Sequence, residues 1–324
     1  MNSKIYQRIA LLATCFIFLS FYTVDVTTTP PKRAHHAMIY HEKEQKVFMI
    51  GGSTPEHGGS DFIFYNDVWS FERTRWTQDG LYGDKRSGLS LAYDPLTNHI
   101  VSMGGFSNNQ SLSDLRILRG DKWVTLMNDS ATATTDGGFI YDILRDKFVA
   151  FGGSFSREKI NSDTWEWDRQ SWIKKNIKNP DPRMAFAMVY DTKRKKTVLF
   201  GGMGDTPDKI FGDTWEYDGE SWIKVATEGP SARMAMGYTY DTKRGLFLIF
   251  GGTSGSAILA DTWGWDGIAW QKLATHGPSP RMMGYMAYDR KRDKAVLFGG
   301  RSKWPVDIND TWEWNGTTWT EVKS

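Results

Sequence analysis

Five arginines recur at one register of the sequence and form its most regular chemical feature. Each stands seven residues before a tyrosine that recurs with it. Guanidinium groups gathered around a common point would attract carboxylates, sulfates or acidic peptides. The series comprises Arg33, Arg86, Arg183, Arg233 and Arg281, and Thr134 takes the corresponding place in the one unit that lacks an arginine. We predict these arginines as contacts to an anionic ligand.

An equally regular series of aspartates offers a structural explanation for the same arginines. As ion pairs between neighbouring units, these carboxylates would neutralise the guanidiniums and serve the framework rather than a ligand. The aspartates are Asp67, Asp114, Asp163, Asp213, Asp261 and Asp310. The sequence leaves the anion-binding ring and the framework of pairs open as alternatives.

Trp304 and several histidines are further candidates. Trp304 stands near Arg301, and such an aromatic can stack on a sugar ring or anchor a partner protein. His36 lies near the start of the repeats, and His57 follows Glu56 within the first of them. If the two ends of the repeat array meet, these residues and His276 could hold a metal or perform acid–base chemistry. We predict Trp304, Arg301, His36 and His57 as ligand contacts and assign no metal.

Motifs of catalysis are missing from the sequence. There is no G-x-S-x-G elbow and no phosphate-binding P-loop, and the only cysteine, Cys15, lies near the N-terminus. We therefore assign no catalytic residue and no cofactor. Lys and Arg total 40 against 38 Asp and Glu, a net charge of +2, which argues against a nucleic-acid partner.

Six copies of one unit must position these residues. A Gly-Gly pair ends an apolar run in each copy, and the pairs follow one another at intervals of 48 to 53 residues. An Asp-x-Trp element comes next, and a second tryptophan follows seven residues after the first in five of the six copies. These two columns leave Trp304 without a framework role.

Each unit contains four short apolar or alternating runs bounded by turn residues. The pattern predicts four antiparallel strands, named a to d, and six such sheets can bury their faces if they pack radially as propeller blades. Strand a should be innermost. Because the strands alternate in direction, the b–c loops and the d–a crossovers share one face. The b–c loops vary most in sequence, so we predict that recognition takes place on this b–c face.

Gly-Gly after a strand, a preceding tyrosine, a following tryptophan and a period near 50 resemble the kelch repeat over residues 33–324. The resemblance implies an all-β, six-bladed kelch-type β-propeller, similar to the central domain of galactose oxidase. Kelch propellers commonly bind acidic ligands through arginines at such positions. Galactose oxidase itself uses a crosslinked cysteine at its copper site, and residues 33–324 contain no cysteine, so that activity is excluded.

Residues 1–22 have the composition of a targeting segment. Lys4 and Arg8 precede an apolar run, which predicts a secretory signal peptide or a short membrane anchor, and Cys15 loosely matches a lipidation site. We expect an exported protein that is secreted, periplasmic or membrane-anchored. Residues 23–32 would form a linker or, through Thr23–Val26, a strand that seals the ring.

Together these features favour a non-catalytic, exported binding propeller that recognises a protein, a glycan or another anionic ligand through its b–c face. One alternative is a sugar-active enzyme such as a sialic-acid mutarotase, which the resemblance suggests through blade number and export. Another is a purely structural surface protein.

Overall fold

Six four-stranded antiparallel sheets arranged around an axis make up the structure. The computed structural model describes residues 29–56, 61–107, 110–120, 122–128, 134–156 and 159–323. No helix occurs within these ranges, and therefore none that is long and apolar enough to cross a membrane. The predicted targeting segment and the sealing strand Thr23–Val26 lie outside the described residues.

The strands follow one another in chain order through the six blades. Blades 1 and 2 contain β1 (Ala37–His41), β2 (Lys46–Ile50), β3 (Ser53–Glu56), β4 (Asp61–Phe64), β5 (Asp67–Glu72), β6 (Arg75–Leu81), β7 (Ser90–Asp94), β8 (His99–Met103), β9 (Phe106–Ser107), β10 (Gln110–Ser111), β11 (Asp114–Arg119) and β12 (Lys122–Asn128). Blades 3 and 4 contain β13 (Gly138–Asp142), β14 (Lys147–Phe151), β15 (Ser154–Ser156), β16 (Lys159–Ile160), β17 (Thr164–Trp167), β18 (Trp172–Lys174), β19 (Ala187–Asp191), β20 (Lys196–Phe200), β21 (Thr214–Tyr217) and β22 (Trp222–Ala226). Blades 5 and 6 contain β23 (Gly237–Asp241), β24 (Leu246–Phe250), β25 (Thr262–Trp265), β26 (Trp270–Ala274), β27 (Tyr285–Asp289), β28 (Lys294–Phe298), β29 (Arg301–Lys303), β30 (Val306–Asp307), β31 (Thr311–Trp314) and β32 (Trp319–Val322).

Each blade has the predicted a–b–c–d order, as in β19–β20–β21–β22 of blade 4. The b–c loops of blades 1, 2, 3 and 6 carry a further two-stranded hairpin, as β3–β4 does in blade 1. Strand b is buried on both sides because every blade lies between two others, which explains its continuous apolar sequence in runs such as Val198–Phe200.

The innermost strands close the ring. β1, β7, β13, β19, β23 and β27 contact one another in this order, and β27 returns to β1. Residues of blades 6 and 1, including Phe298 and Trp76, share one hydrophobic cluster. All four strands of blade 6 come from the C-terminal end of the propeller, so packing between complete blades closes it.

The second tryptophan column links neighbouring blades through hydrogen bonds. Trp270 Nε1 donates to Thr214 Oγ1 of the preceding blade at 2.8 Å, and Trp76 makes the closing bond to Thr311 at 2.9 Å. Blades 1 and 2 have Val68 and Leu115 where blades 3 to 6 have this threonine, and the structure shows no hydrogen bond from the buried Nε1 of Trp123, which faces blade 1. Four of the six tryptophans in this column thus join neighbouring blades through a threonine hydroxyl.

Candidate functional site

The repeated arginines lie inside the blades. Arg33 Nη1 and Nη2 each donate to Asp67 at 2.6 Å, and Nη1 also donates to the Gly51 carbonyl oxygen at 2.9 Å. The ring of Tyr65 covers this guanidinium at 4.2 Å. The first glycine of the Gly-Gly pair and the strand-c aspartate therefore form a socket for one arginine.

The same socket recurs in four other blades, and all five arginine side chains are at most 1% exposed. In blade 4, burial opposes ionisation of Asp213, but the Arg183 guanidinium outweighs it and holds the pKa of that carboxyl below its usual value. The remaining pairs are Arg86–Asp114, Arg233–Asp261 and Arg281–Asp310.

These contacts favour the framework interpretation of the arginine series. Every guanidinium is bonded within its own blade, whereas the sequence suggested pairs between blades. The structure brings the five arginines to equivalent positions but directs none of them to a common ligand. In blade 3, where Thr134 replaces the arginine, Asp163 pairs instead with Lys174 at 2.7 Å.

Two residues beyond each arginine position, the chain forms a collar around the axis. The six collar residues have left-handed backbone conformations, with φ between 53° and 63°. Each amide N–H donates to the carbonyl oxygen of the collar residue in an adjacent blade, at 2.7 to 3.1 Å, and the six bonds form a closed cycle. We call this set the axial collar; it comprises His35, Gly88, Asp136, Ala185, Ala235 and Met283.

A cavity of about 280 Å³ follows the axis on one side of the collar. Its lining runs from collar residues such as Ala185 and Ala235 to a–b turn residues such as Pro95 and Thr192. The cavity therefore extends toward the face opposite the b–c loops. The repeat pattern predicts recognition on the b–c face and gives no indication of this cavity.

Four polar side chains meet at the collar end of the axial cavity. His35 Nε2 lies 2.7 Å from Asp136 Oδ1, and although burial lowers the pKa of His35, the charge and hydrogen bond of Asp136 raise it above its ordinary value. Burial, together with the charge of Asp136, raises the pKa of Tyr238 to about 12. The same causes raise the pKa of Tyr285 well above its ordinary value. Asp136, Tyr238 and Tyr285 are not among the residues predicted from the sequence.

Four aromatic rings cross the b–c face over blades 6, 1 and 2. Trp304 lies 5.7 Å from Phe62, Phe62 lies 6.3 Å from Phe64, and Phe64 lies 6.2 Å from Phe106. We call these residues the aromatic row. Trp304 is 52% exposed and Phe62 is 37% exposed, so the row presents apolar surface to solvent.

Arg301 holds the exposed end of the aromatic row. Its guanidinium lies 4.8 Å from the centre of the Trp304 ring, and its Nε donates to Asp307 Oδ1 at 2.7 Å. Because Arg301 is buried and paired, it fixes Trp304 and has little surface to offer a ligand. The structure thus brings these two predicted residues together and adds Phe62 to them.

The predicted histidines do not form one open site. His36 is fully buried in the contact between blades 1 and 6, with its ring packed against Tyr285 and Phe298. His276 is exposed on the crossover into blade 6. His57 lies outside the described residues. In the part of the chain that the structure describes, no group of three or more His, Cys, Asp and Glu residues could hold a metal ion.

Comparison with protein families agrees with this architecture. The model of the KLHDC2/KLHL20/DRC7 Kelch-repeats domain matches residues 138–324, which is more than half of the chain. The chain belongs to the kelch-repeat family. The predictions of kelch repeats and of an all-β, six-bladed propeller are confirmed. A kelch propeller suggests a protein-binding scaffold, and this much of the predicted function is supported.

The collar residues of this kelch propeller carry a sequence signal for the His35–Asp136 pair. Alanine, glycine or methionine occupies the collar position in four blades, whereas blades 1 and 3 have His35 and Asp136. Two polar residues at a position that is otherwise small or apolar point to a special role. Their partnership follows only from the ring geometry, because about 100 residues separate them in sequence.

Proposed function

We propose that this kelch propeller is a non-catalytic scaffold that binds a protein partner through its b–c face. The observation that carries the proposal is the aromatic row, with Trp304 half-exposed and fixed by Arg301. Exposed aromatic side chains that are already held in place lose little conformational entropy on binding and commonly act as interface anchors.

The surroundings of the aromatic row favour an apolar segment of the partner. Val306, in the same blade 6 hairpin as Trp304, is also 41% exposed. Exposed charged residues of both signs lie in the same hairpins, with Glu56 and Asp61 opposite one another in blade 1 and Lys303 in blade 6. A partner that inserts apolar or aromatic side chains would bury the aromatic row and leave these charged side chains at the polar rim of the interface.

An acidic ligand finds less support on this face. The five arginines that suggested one are buried and bonded to their own aspartates. We therefore propose an apolar protein segment as the bound element, in place of a glycan or an anion.

Peptide selection tests this proposal. The full-length protein is used to select from a random peptide library displayed on phage, and the dissociation constants of the selected peptides are measured by isothermal titration calorimetry. Trp304→Ala should weaken binding about 30-fold, because an interface anchor contributes at least about 2 kcal/mol.

Ile268→Ala is the matched control, since Ile268 is 86% exposed but lies on a c–d turn of the opposite face. It should leave the affinity unchanged. Selected peptides that bind both variants as tightly as the unmodified protein would overturn the proposal.

We further propose that the scaffold acts outside the cytoplasm. The support is the run of apolar residues behind Lys4 and Arg8 within residues 1–22. Residues 1–28 fused to a reporter enzyme that is active only after export should give activity. Replacement of the apolar core by polar residues should abolish that activity, and an inactive unmodified fusion would contradict export.

A further inference from the structure

The collar end of the axial cavity offers hydrogen-bonding groups that the fold itself does not use. Tyr238 and Tyr285 both line the cavity, and their rings lie 6.4 Å apart. Among the described residues, the structure gives neither hydroxyl a hydrogen-bond partner. Phenol hydroxyls in such a position usually bond to protein, water or a ligand.

The charged side chains that line the axial cavity each have a polar partner. Asp136 is paired with His35 at 2.7 Å at the collar end. At the turn end, Glu42 is paired with Arg290. Because each charged residue of the lining already has a partner beside it, a charged molecule would lose its hydration without gaining a free counterion.

The dimensions of the cavity limit the size of an occupant. A protein cavity of about 150 Å³ accommodates benzene, so about 280 Å³ suits a molecule of roughly twice that size. The walls add apolar contacts through side chains such as Met38, Ile140 and Met188, and the tyrosine rings offer flat faces. This combination of apolar wall and convergent polar groups is typical of small-molecule sites.

We propose that the axial cavity binds a small uncharged molecule of monosaccharide size, whose hydroxyl or carbonyl oxygens accept hydrogen bonds from Tyr238 and Tyr285. The ligand enters from the a–b turn face, where Pro95, Ile143 and Thr192 line the mouth. This site is separate from the aromatic row, and the inference does not depend on the proposed protein partner.

Ligand-observed NMR and calorimetry with three named probes test the inference. The probes are D-glucose, N-acetyl-D-glucosamine and myo-inositol, and D-glucuronate is the charged comparator. We expect saturable binding of at least one uncharged probe to the full-length protein and weaker binding of D-glucuronate. Tyr238→Phe and Tyr285→Phe should each weaken binding roughly three- to tenfold, because each removes one buried hydrogen bond and almost no volume.

Two control variants separate this site from others. Tyr65→Phe removes a hydroxyl on the b–c face, where it donates to the Lys32 carbonyl oxygen at 3.3 Å, and should leave probe binding unchanged. Trp304→Ala should likewise have no effect on the probes. The inference is overturned if no uncharged probe binds, if D-glucuronate binds more tightly, or if the two cavity tyrosine variants bind as well as Tyr65→Phe.

Discussion

Replacement of one framework arginine separates a structural role from a binding role. Arg233 is buried and donates to the Gly251 carbonyl oxygen at 3.1 Å, to Asp261 at 2.7 and 3.2 Å, and to the Ser231 carbonyl oxygen at 3.0 Å. Arg233→Met keeps much of the side-chain volume but leaves Asp261 without its counterion. Breaking a buried ion pair costs about 3–5 kcal/mol, and the partial exposure of Asp261 places this case near 3 kcal/mol.

Equilibrium urea unfolding, followed by tryptophan fluorescence, measures this loss. In a thermal scan the same change should lower the midpoint by about 6–12 °C. The double variant Arg233→Met/Asp261→Asn should recover part of the loss, because it removes the stranded charge and retains an oxygen that can accept the Trp263 Nε1 hydrogen bond, which is 2.7 Å long in the structure.

Lys243→Met is the matched control for loss of a cation. Lys243 forms an exposed pair with Asp293 at 2.6 Å, and such pairs contribute less than about 1 kcal/mol. If Arg233→Met unfolds at the same urea concentration as Lys243→Met, the arginine is not a framework residue and the socket argument is refuted.

Two further predictions concern the joints between blades and the axial collar. Thr214→Val should lower the free energy of unfolding by about 1–3 kcal/mol, because it leaves the buried indole N–H of Trp270 without an acceptor. Val68→Thr should raise the free energy of unfolding, because it offers Trp123 the acceptor that blade 1 lacks. Urea unfolding that shows Thr214→Val to be stabilising and Val68→Thr to be destabilising would contradict this role. The raised pKa of His35 adds stability that is fully present below about pH 6.5 and is lost as the pH rises through the folded-state pKa. Asp136→Asn should reduce this loss of stability at higher pH when the free energy of unfolding is measured from pH 5 to 9. An unchanged pH profile would exclude the His35–Asp136 ion pair as the source of the loss.

The sequence predicts the fold well because each blade repeats the same packing contacts and turns. The Gly-Gly pairs, the tyrosines and the two tryptophan columns each report one contact that must recur in every blade, such as the bond from Trp270 to Thr214. Register alone also places the strand-c aspartates on the same face as the arginines. Register does not reveal the direction of each side chain. The pairing of Arg33 with Asp67 within one blade is therefore seen only in the structure.

The sites are harder to predict because they depend on departures from the repeat. Trp304 was identifiable, since it falls outside both tryptophan columns. Tyr238 and Tyr285 were not, because both lie in apolar strand-a sequences and neither occupies the repeated tyrosine position. Their proximity to Asp136 arises from closure of the ring across the axis, and no local pattern encodes it.

The affinity of selected peptides for Trp304→Ala, relative to Ile268→Ala, tests the central claim most directly. Both substitutions remove an exposed apolar side chain, one from the aromatic row and one from the opposite face. The account predicts about 30-fold weaker binding by Trp304→Ala alone, with both variants unfolding at the same urea concentration. Equal affinities of the two variants would contradict binding through the aromatic row.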